Sequence, residues 1–188
     1  ISGMGLRGGR PLLSSAGFAV LGWMMMLLLR TFFIESIDQT AVGISQDFFY
    51  LLLFEAFAIQ LWLFGVLFRS VADWRGPLTA AISSGLVYGV FAGLFFLESN
   101  YQGDLALTGM LYFVAWGLFY GMIRLRTGSI IGTVVVQAMQ SLTTWHIFLP
   151  LVPPTIPQTY NSLYLGMGVV YMVLLWRLWP SEEEDYRV

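Results

Sequence analysis

Long apolar stretches are the feature of this sequence that most constrains its fold. Six of them follow one another, at residues 13–34, 48–68, 78–97, 105–123, 129–149 and 162–179. Each is close to the roughly 20 apolar residues that a helix needs to cross a bilayer. Only 11% of the chain is charged, against about a quarter in soluble domains. Because lipid cannot satisfy backbone polar groups, the stretches predict helices. The expected fold class is all-α, a polytopic membrane bundle of about six transmembrane helices.

The connectors between these stretches differ in charge. Arginines lie before the first stretch, after the second and fourth, and near the end of the sixth at Arg177, whereas acidic residues cluster after the first and third. Since positively charged loops stay on the cytoplasmic or equivalent inner side, we expect both termini there. Residues 1–12 then form an inner N-terminal segment and residues 180–188 an acidic inner tail. The whole chain, 1–188, is predicted to be one integral membrane domain.

The composition excludes two kinds of chemistry. The sequence has no cysteine, which excludes disulfides and thiol-based sites within it. Its nine basic residues, all arginine, form no basic stripe of the kind that binds nucleic acid. We therefore expect partners among membrane components, namely other integral membrane subunits and membrane lipid.

Small and polar residues at helical spacing predict how the helices pack. In the third stretch small residues recur every four positions, at Ala81, Gly85, Gly89 and Gly93. Such a face permits close helix approach, and we expect it to pack internally against Gly117 and Gly121. In the fifth stretch a polar stripe is formed by Gln137, Gln140, Ser141 and Thr144. This stripe should face the bundle interior, because lipid offers amides no partner.

The segment around the start of the fifth stretch carries a family resemblance. Residues 124–141 read RLRTGSIIGTVVVQAMQS, which resembles the last conserved helix of the CPBP intramembrane metalloproteases, the relatives of CAAX-processing and bacteriocin-processing proteases. In that family the Thr-Gly-Ser sequence opens a helix that carries a His where this chain has Gln137. The family then has an Asn where this chain has Ser141.

Two earlier motifs of the same family match in order. The first has paired glutamates and then an arginine, and the corresponding residues here are Ile59, Gln60 and Phe64. The second has an aromatic residue followed four positions later by His, and here it reads Tyr88 and Ala92. The resemblance therefore covers roughly residues 60–141.

The resemblance implies a metalloprotease frame without its metal ligands. The family's mechanism uses carboxylates and two imidazoles to hold a divalent metal that activates water. Isoleucine and alanine cannot ligate a metal, and glutamine lacks the charge and basicity required. The sequence contains a single histidine, His146. We therefore predict a pseudoenzyme with no catalytic residues and no metal site.

Two residues remain as candidates for binding a cofactor. Glu55 lies about 12 Å inside the second stretch by helical rise, where a carboxylate is costly. It precedes Ile59 by one turn, and a structural hydrogen bond, a ligand contact and residual catalysis all remain open. His146 is either an interfacial residue of an aromatic belt or an axial ligand to a porphyrin-type pigment. A pair between Glu55 and His146 is also open.

The function predicted from these features is non-catalytic. We expect a CPBP-like membrane protein that acts as a scaffold, assembly factor or accessory subunit of a larger membrane complex, with no cofactor other than a lipid or porphyrin-type pigment. One alternative is an active intramembrane CAAX-type metalloprotease with an atypical site. Another is a pigment- or cofactor-carrying subunit of a photosynthetic or respiratory complex. Trp62 and Trp116, expected near the midplane, and the uncharged connector 150–157 would offer surface to a partner.

Overall fold

The structure is a computed structural model that describes residues 4–33, 35–37, 43–96, 104–143, 148–150 and 157–187. Within these residues, six main helices follow the order of the six apolar stretches. They are α1 (Arg10–Phe33), α2 (Ile44–Arg75), α3 (Pro77–Phe96), α4 (Asp104–Thr127), α5 (Ile131–Leu142) and α6 (Pro157–Leu178). A single 3-10 turn, Glu183–Asp185, follows near the C-terminus. The all-α prediction is confirmed.

Four helices in the described part of the chain are long and apolar enough to cross a membrane. The apolar windows are Arg10–Thr31, Ile44–Arg75, Pro77–Leu94 and Tyr160–Leu178. Helix α4 has 24 residues but ends in charged residues. Helix α5 is described over 12 residues, Ile131–Leu142. Residues 144–147 lie outside the described part of the chain, so the fifth span stays a prediction. The spans mark the chain as a polytopic integral membrane protein.

Helix α2 is longer than predicted and changes its hydrogen bonding along its length. It begins before residue 48 and continues past residue 68, so much of the two flanking connectors is helical. Two π-helical stretches, Leu51–Phe57 and Leu61–Leu67, enclose one short α-helical stretch, Ala58–Gln60. π-Helical insertions change which residues share a helix face and are frequent at functional sites. The helix ends at Gly76, whose φ of 92° is readily adopted by glycine.

A short antiparallel strand pair lies outside the helices and was not predicted. Strand β1 (Glu35–Ile37) follows α1, and β2 (Phe148–Pro150) precedes α6. Glu35 pairs with Pro150 and Ile37 with Phe148. This pairing bonds the connector after α1 to the region that was predicted to be the end of the fifth span.

The small-residue face of α3 is buried against α4. A Cβ atom added at Gly85 would lie 2.7 Å from the backbone oxygen of Gly117, and Gly89 and Gly121 are similarly enclosed by backbone of the opposite helix. The prediction that this face packs internally is therefore confirmed. Because the backbones are in contact, the two helices form a closely packed pair at the centre of the molecule.

Aromatic side chains fill the space between α3, α4 and α6. Trp116 is 4% exposed and packs edge-on against Tyr88, with ring centroids 5.4 Å apart. The prediction that Trp116 offers surface to a partner is therefore wrong, because α4 is covered by α3 on one side and α6 on the other. Trp62, in contrast, is 60% exposed.

The segments near both termini meet the α4–α5 connector at one end of the bundle. The backbone N–H of Ile130 donates to the carbonyl of Gly5 at 2.9 Å. The backbone N–H of Arg187 donates to the carbonyl of Leu125, also at 2.9 Å, and Arg126 forms an ion pair with Asp185. The described parts of both terminal segments therefore lie at the same end of the bundle, together with the arginine-bearing last turn of α4 and the short connector that follows it.

Candidate functional site

The centre of the site is a pair of buried glutamines from α2 and α5. Gln60 Nε2 donates to Gln137 Oε1 at 2.7 Å, and both side chains are completely buried. The hydroxyl of Thr133, one turn before Gln137, lies 3.2 Å from Gln60 Oε1. Buried amides are costly unless they are hydrogen-bonded, so this arrangement stabilises the contact between the two helices with neutral groups.

A second polar contact lies beside the glutamine pair on the same two helices. The hydroxyl of Ser141 donates to Glu55 Oε1 at 2.5 Å, a distance typical of an O–H bond to a carboxylate. Ser141 follows Gln137 by one turn of α5. Glu55 precedes Gln60 by five residues, which in a regular α-helix would be about 140° apart around the axis. The π-helical stretch that contains Glu55 changes this relation, and both side chains reach α5.

A cavity of about 880 Å³ opens next to these contacts, between α2 and α3. Its wall on α2 includes Glu55, Ile59 and Trp62, and its wall on α3 includes Tyr88 and Ala92. Among the described residues that line it, Glu55 is the one acidic side chain, and most of the others are apolar. The cavity is therefore an apolar chamber with a carboxylate in its wall.

The family assignment follows from a comparison along the sequence. A family model described as type II CAAX prenyl endopeptidase Rce1-like matches residues 22–143, well over half of the chain. The chain belongs to this Rce1-like family. No curated protein and no solved structure matches the chain, so the assignment rests on the family model.

The matched range contains every position that the CPBP resemblance aligns with the ligands of this Rce1-like family. Gln60 and Gln137 are hydrogen-bonded across α2 and α5, Ser141 is bonded to Glu55 beside them, and Ile59 and Ala92 line the cavity. The sequence predicts that these positions form one site, because they correspond in order to the three motifs of the family. The contact between Ser141 and Glu55 was not predicted.

The cofactor candidates have different outcomes. Glu55 lies at the site, where its carboxylate accepts a hydrogen bond from the hydroxyl of Ser141. His146 lies outside the described residues, so its pairing with Glu55 and its role as a pigment ligand stay predictions. The end of the predicted polar stripe, Thr144, is also outside them.

Phe64 occupies the position that the resemblance aligns with the family's arginine, and an arginine from another helix reaches its backbone. Arg124 Nε donates to the carbonyl of Phe64 at 3.1 Å, and its guanidinium lies 4.9 Å from the ring centroid of Phe68. Arg124 is 1% exposed. The prediction that Arg124 lies in the connector after the fourth stretch is wrong, because α4 continues to Thr127. Its position at the end of an apolar stretch was the signal for burial.

The residues at the site do not fit the divalent metal of the metalloprotease mechanism. The glutamine pair supplies neutral amides that are joined by one hydrogen bond, and the side chains of Ile59 and Ala92 offer no ligand atoms. Within the described residues, no three His, Cys, Asp or Glu side chains lie close enough to hold a metal ion. Glu55 alone supplies a carboxylate here. We derive no metal-dependent step for this arrangement.

Proposed function

We propose that this chain is a catalytically inactive member of the Rce1-like family that acts as a scaffold, assembly factor or accessory subunit of a larger membrane complex. The observation that carries the proposal is the buried hydrogen bond between Gln60 and Gln137. Two positions at which the family resemblance calls for a carboxylate and an imidazole are here neutral, and each uses its amide to bind the other.

The chemistry of amide hydrolysis supports this reading. Metalloproteases lower the pKa of a metal-bound water and stabilise negative charge in the transition state. Amide side chains carry no charge and do not accept a proton near neutral pH. With one histidine in the sequence, a pair of imidazole ligands is not available within this chain.

The role in a complex is supported by the surface of the helices. Trp62 is 60% exposed and Trp176 is 71% exposed, on two different helices. Contact with lipid accounts for scattered exposed apolar side chains. A partner helix would contact the same side chains and would also offer close packing and interhelical hydrogen bonds. The main helices occupy most of the described residues, so membrane-embedded contacts are the principal means of association that they offer.

The proposal predicts that the purified protein does not cleave prenylated peptides. The assay uses the full chain in mild detergent, with zinc or cobalt added and with chelator added. Cleavage that requires metal would overturn the inactive assignment. A matched variant, Ile59→Glu/Gln60→Glu/Ala92→His/Gln137→His, restores the aligned ligand types and should bind metal if the alignment is right. Failure of this variant to bind metal while it stays folded would argue against the alignment.

The partner role predicts co-purification. In mild detergent the protein should migrate on native gels well above its 21.1 kDa. When Trp62 is replaced by a photoreactive residue, illumination should crosslink the protein to defined partner bands. A monodisperse monomer with no crosslinked membrane partner would contradict the role.

One observation favours the alternative of an active protease with an atypical site. The 2.5 Å contact between Ser141 and Glu55 places a hydroxyl beside a carboxylate, which is the arrangement of a nucleophile next to a general base. This alternative predicts cleavage that is insensitive to chelator and lost in both Ser141→Ala and Glu55→Gln. Asp73→Asn, which removes an exposed carboxylate elsewhere on α2, is the control that should retain it.

A further inference from the structure

The lining of the cavity between α2 and α3 begins, along α2, with an acidic residue. Along α2 its lining runs from Glu55 to Leu63, which is about 12 Å at helical rise. Glu55 is the first of these residues, and the ones that follow on α2 are apolar. A volume of about 880 Å³ lies within the range of roughly 300–1,000 Å³ found for small-molecule sites.

The two facing walls are apolar where the family resemblance places metal ligands. Ile59 on α2 and Ala92 on α3 both line the cavity. Ala92 is small, so it leaves space where a larger side chain would stand. The middle of the cavity therefore favours hydrocarbon over water or ions.

Two polar side chains stand in the otherwise apolar cavity wall. Glu55 is half-buried, and its carboxylate accepts a hydrogen bond from Ser141. Tyr88 is 2% exposed, and its hydroxyl has no hydrogen-bond partner among the described residues. Buried hydroxyl groups without partners are uncommon in proteins.

We propose that this cavity binds a single-chain lipid with an ammonium head group, whose head bonds to the carboxylate of Glu55 and whose chain lies between Ile59 and Ala92. The inference rests on the proposed function, because a catalytic metal would occupy the same space. An acidic head group is repelled by the carboxylate of Glu55. A neutral hydroxyl head group can donate a hydrogen bond to that carboxylate but cannot form an ion pair with it. In an apolar surrounding, an ion pair is much stronger than it is in water.

The test compares three probes with the same hydrocarbon chain. The full chain is placed in nanodiscs of phosphatidylcholine with a bromine-labelled amine, which quenches tryptophan fluorescence when it is bound. We then titrate in hexadecylamine, hexadecanol or hexadecanoic acid and measure how much of the labelled amine each one displaces. We expect the amine to bind at least about tenfold more tightly than the acid, with the alcohol between them. Equal affinities, or no saturable binding of any probe, would overturn the proposal without the use of any variant.

Variants locate the site. Glu55→Gln should abolish the difference between amine and alcohol, whereas Asp73→Asn should leave it unchanged. Ala92→Phe should weaken all three probes, and Val169→Phe, at a 63% exposed position on α6, is its matched control. In Trp62→Phe the quenched component of the fluorescence should decrease. Quenching that is unaffected by Trp62→Phe and Ala92→Phe would place the lipid elsewhere and refute the assignment.

The lipid proposal and the proposed function fail in different ways. Metal-dependent cleavage of a prenylated peptide refutes the inactive assignment, whatever lipid is bound. A protein that cleaves nothing but shows no preference among the three head groups refutes the lipid site alone.

Discussion

Gln60 on α2 donates a 2.7 Å hydrogen bond to Gln137 on α5, and neither side chain has any exposed surface. The pair joins the first and third motifs of the family resemblance through uncharged groups. It also joins the longest helix to the shortest of the six main helices. The same contact therefore stabilises the packing of α2 against α5 and places neutral amides at positions that the resemblance aligns with metal ligands.

The effects of removing Gln60 and Gln137 should be coupled. Gln60→Leu and Gln137→Leu each leave a buried amide without its partner, which costs about 1–3 kcal/mol. The double variant should cost less than the sum of the two single variants, because both polar groups are gone. Unfolding in detergent, followed by circular dichroism with denaturant, measures this cycle. Additive effects would show that the two side chains do not interact.

Gly85→Ala should disrupt the packing of α3 against α4. The added methyl would lie 2.7 Å from the backbone oxygen of Gly117, and overpacking of this kind costs about 1–3 kcal/mol. Gly166→Ala on α6 is the matched control, since nothing lies within 4 Å of its added Cβ. Melting temperatures of the two variants should differ clearly. A wild-type melting temperature for Gly85→Ala would mean that the helices are farther apart.

Arg124→Met should destabilise the bundle by about 1.5–3 kcal/mol, because it removes a charged hydrogen bond to the carbonyl of Phe64. Arg124→Lys should rescue little, since an ammonium does not reproduce the planar stacking over Phe68. The comparison is Arg69→Met, which removes an exposed i,i+4 ion pair with Asp73 worth well under about 1 kcal/mol. Equal losses for Arg69 and Arg124 in denaturant titrations would contradict the burial of Arg124.

Acidification should release the C-terminal tail before it unfolds the bundle. The backbone N–H of Ser181 donates to Asp185 and, with Arg126, holds the pKa of that carboxyl below its usual range. The folded pKa is depressed, so this contribution is present above the unfolded pKa and is lost as pH falls through the folded one. The protection factor against hydrogen exchange near Tyr186, taken relative to the intrinsic rate at each pH, should fall over that acidic range. Asp185→Asn should already show the faster exchange at neutral pH, and an unchanged rate would count against the contact.

Reporter fusions should place Asp104 and the C-terminus on opposite sides of the membrane. The expectation rests on arginine-bearing and acidic connectors that alternate along the chain. It is consistent with the meeting of both terminal segments at the α4–α5 connector. If both fusions report the same side, the number of spans between Asp104 and the C-terminus is even, and the six-span prediction, which places three spans there, is wrong.

The cofactor prediction for His146 is independent of the described geometry. Gentle purification with an absorbance spectrum tests it directly. A porphyrin-type band that is lost in His146→Ala would support the pigment-carrying alternative, and a spectrum with protein absorbance alone would remove it.

Several features follow from the sequence because each depends on local chemistry. The order and type of the six helices follow from apolar length, since a chain in lipid must bond its backbone within each segment. The internal packing of Gly85 against Gly117 follows from four-residue spacing, because only small residues let backbones touch. The family motif around Gln137 is recognisable from Thr127-Gly128-Ser129, because these residues form a local pattern at the start of a single helix.

Other features were decided by the tertiary structure alone. The contact of Glu55 with Ser141 depends on the π-helical stretches of α2, which change which side chains face α5, and no composition rule predicts where they occur. The burial of Arg124 and Trp116 depends on which helices cover α4, and that is a property of packing between segments distant in sequence. Periodicity determines which residues share a face of one helix, but the rotation of each helix against its neighbours is set by contacts of the whole bundle.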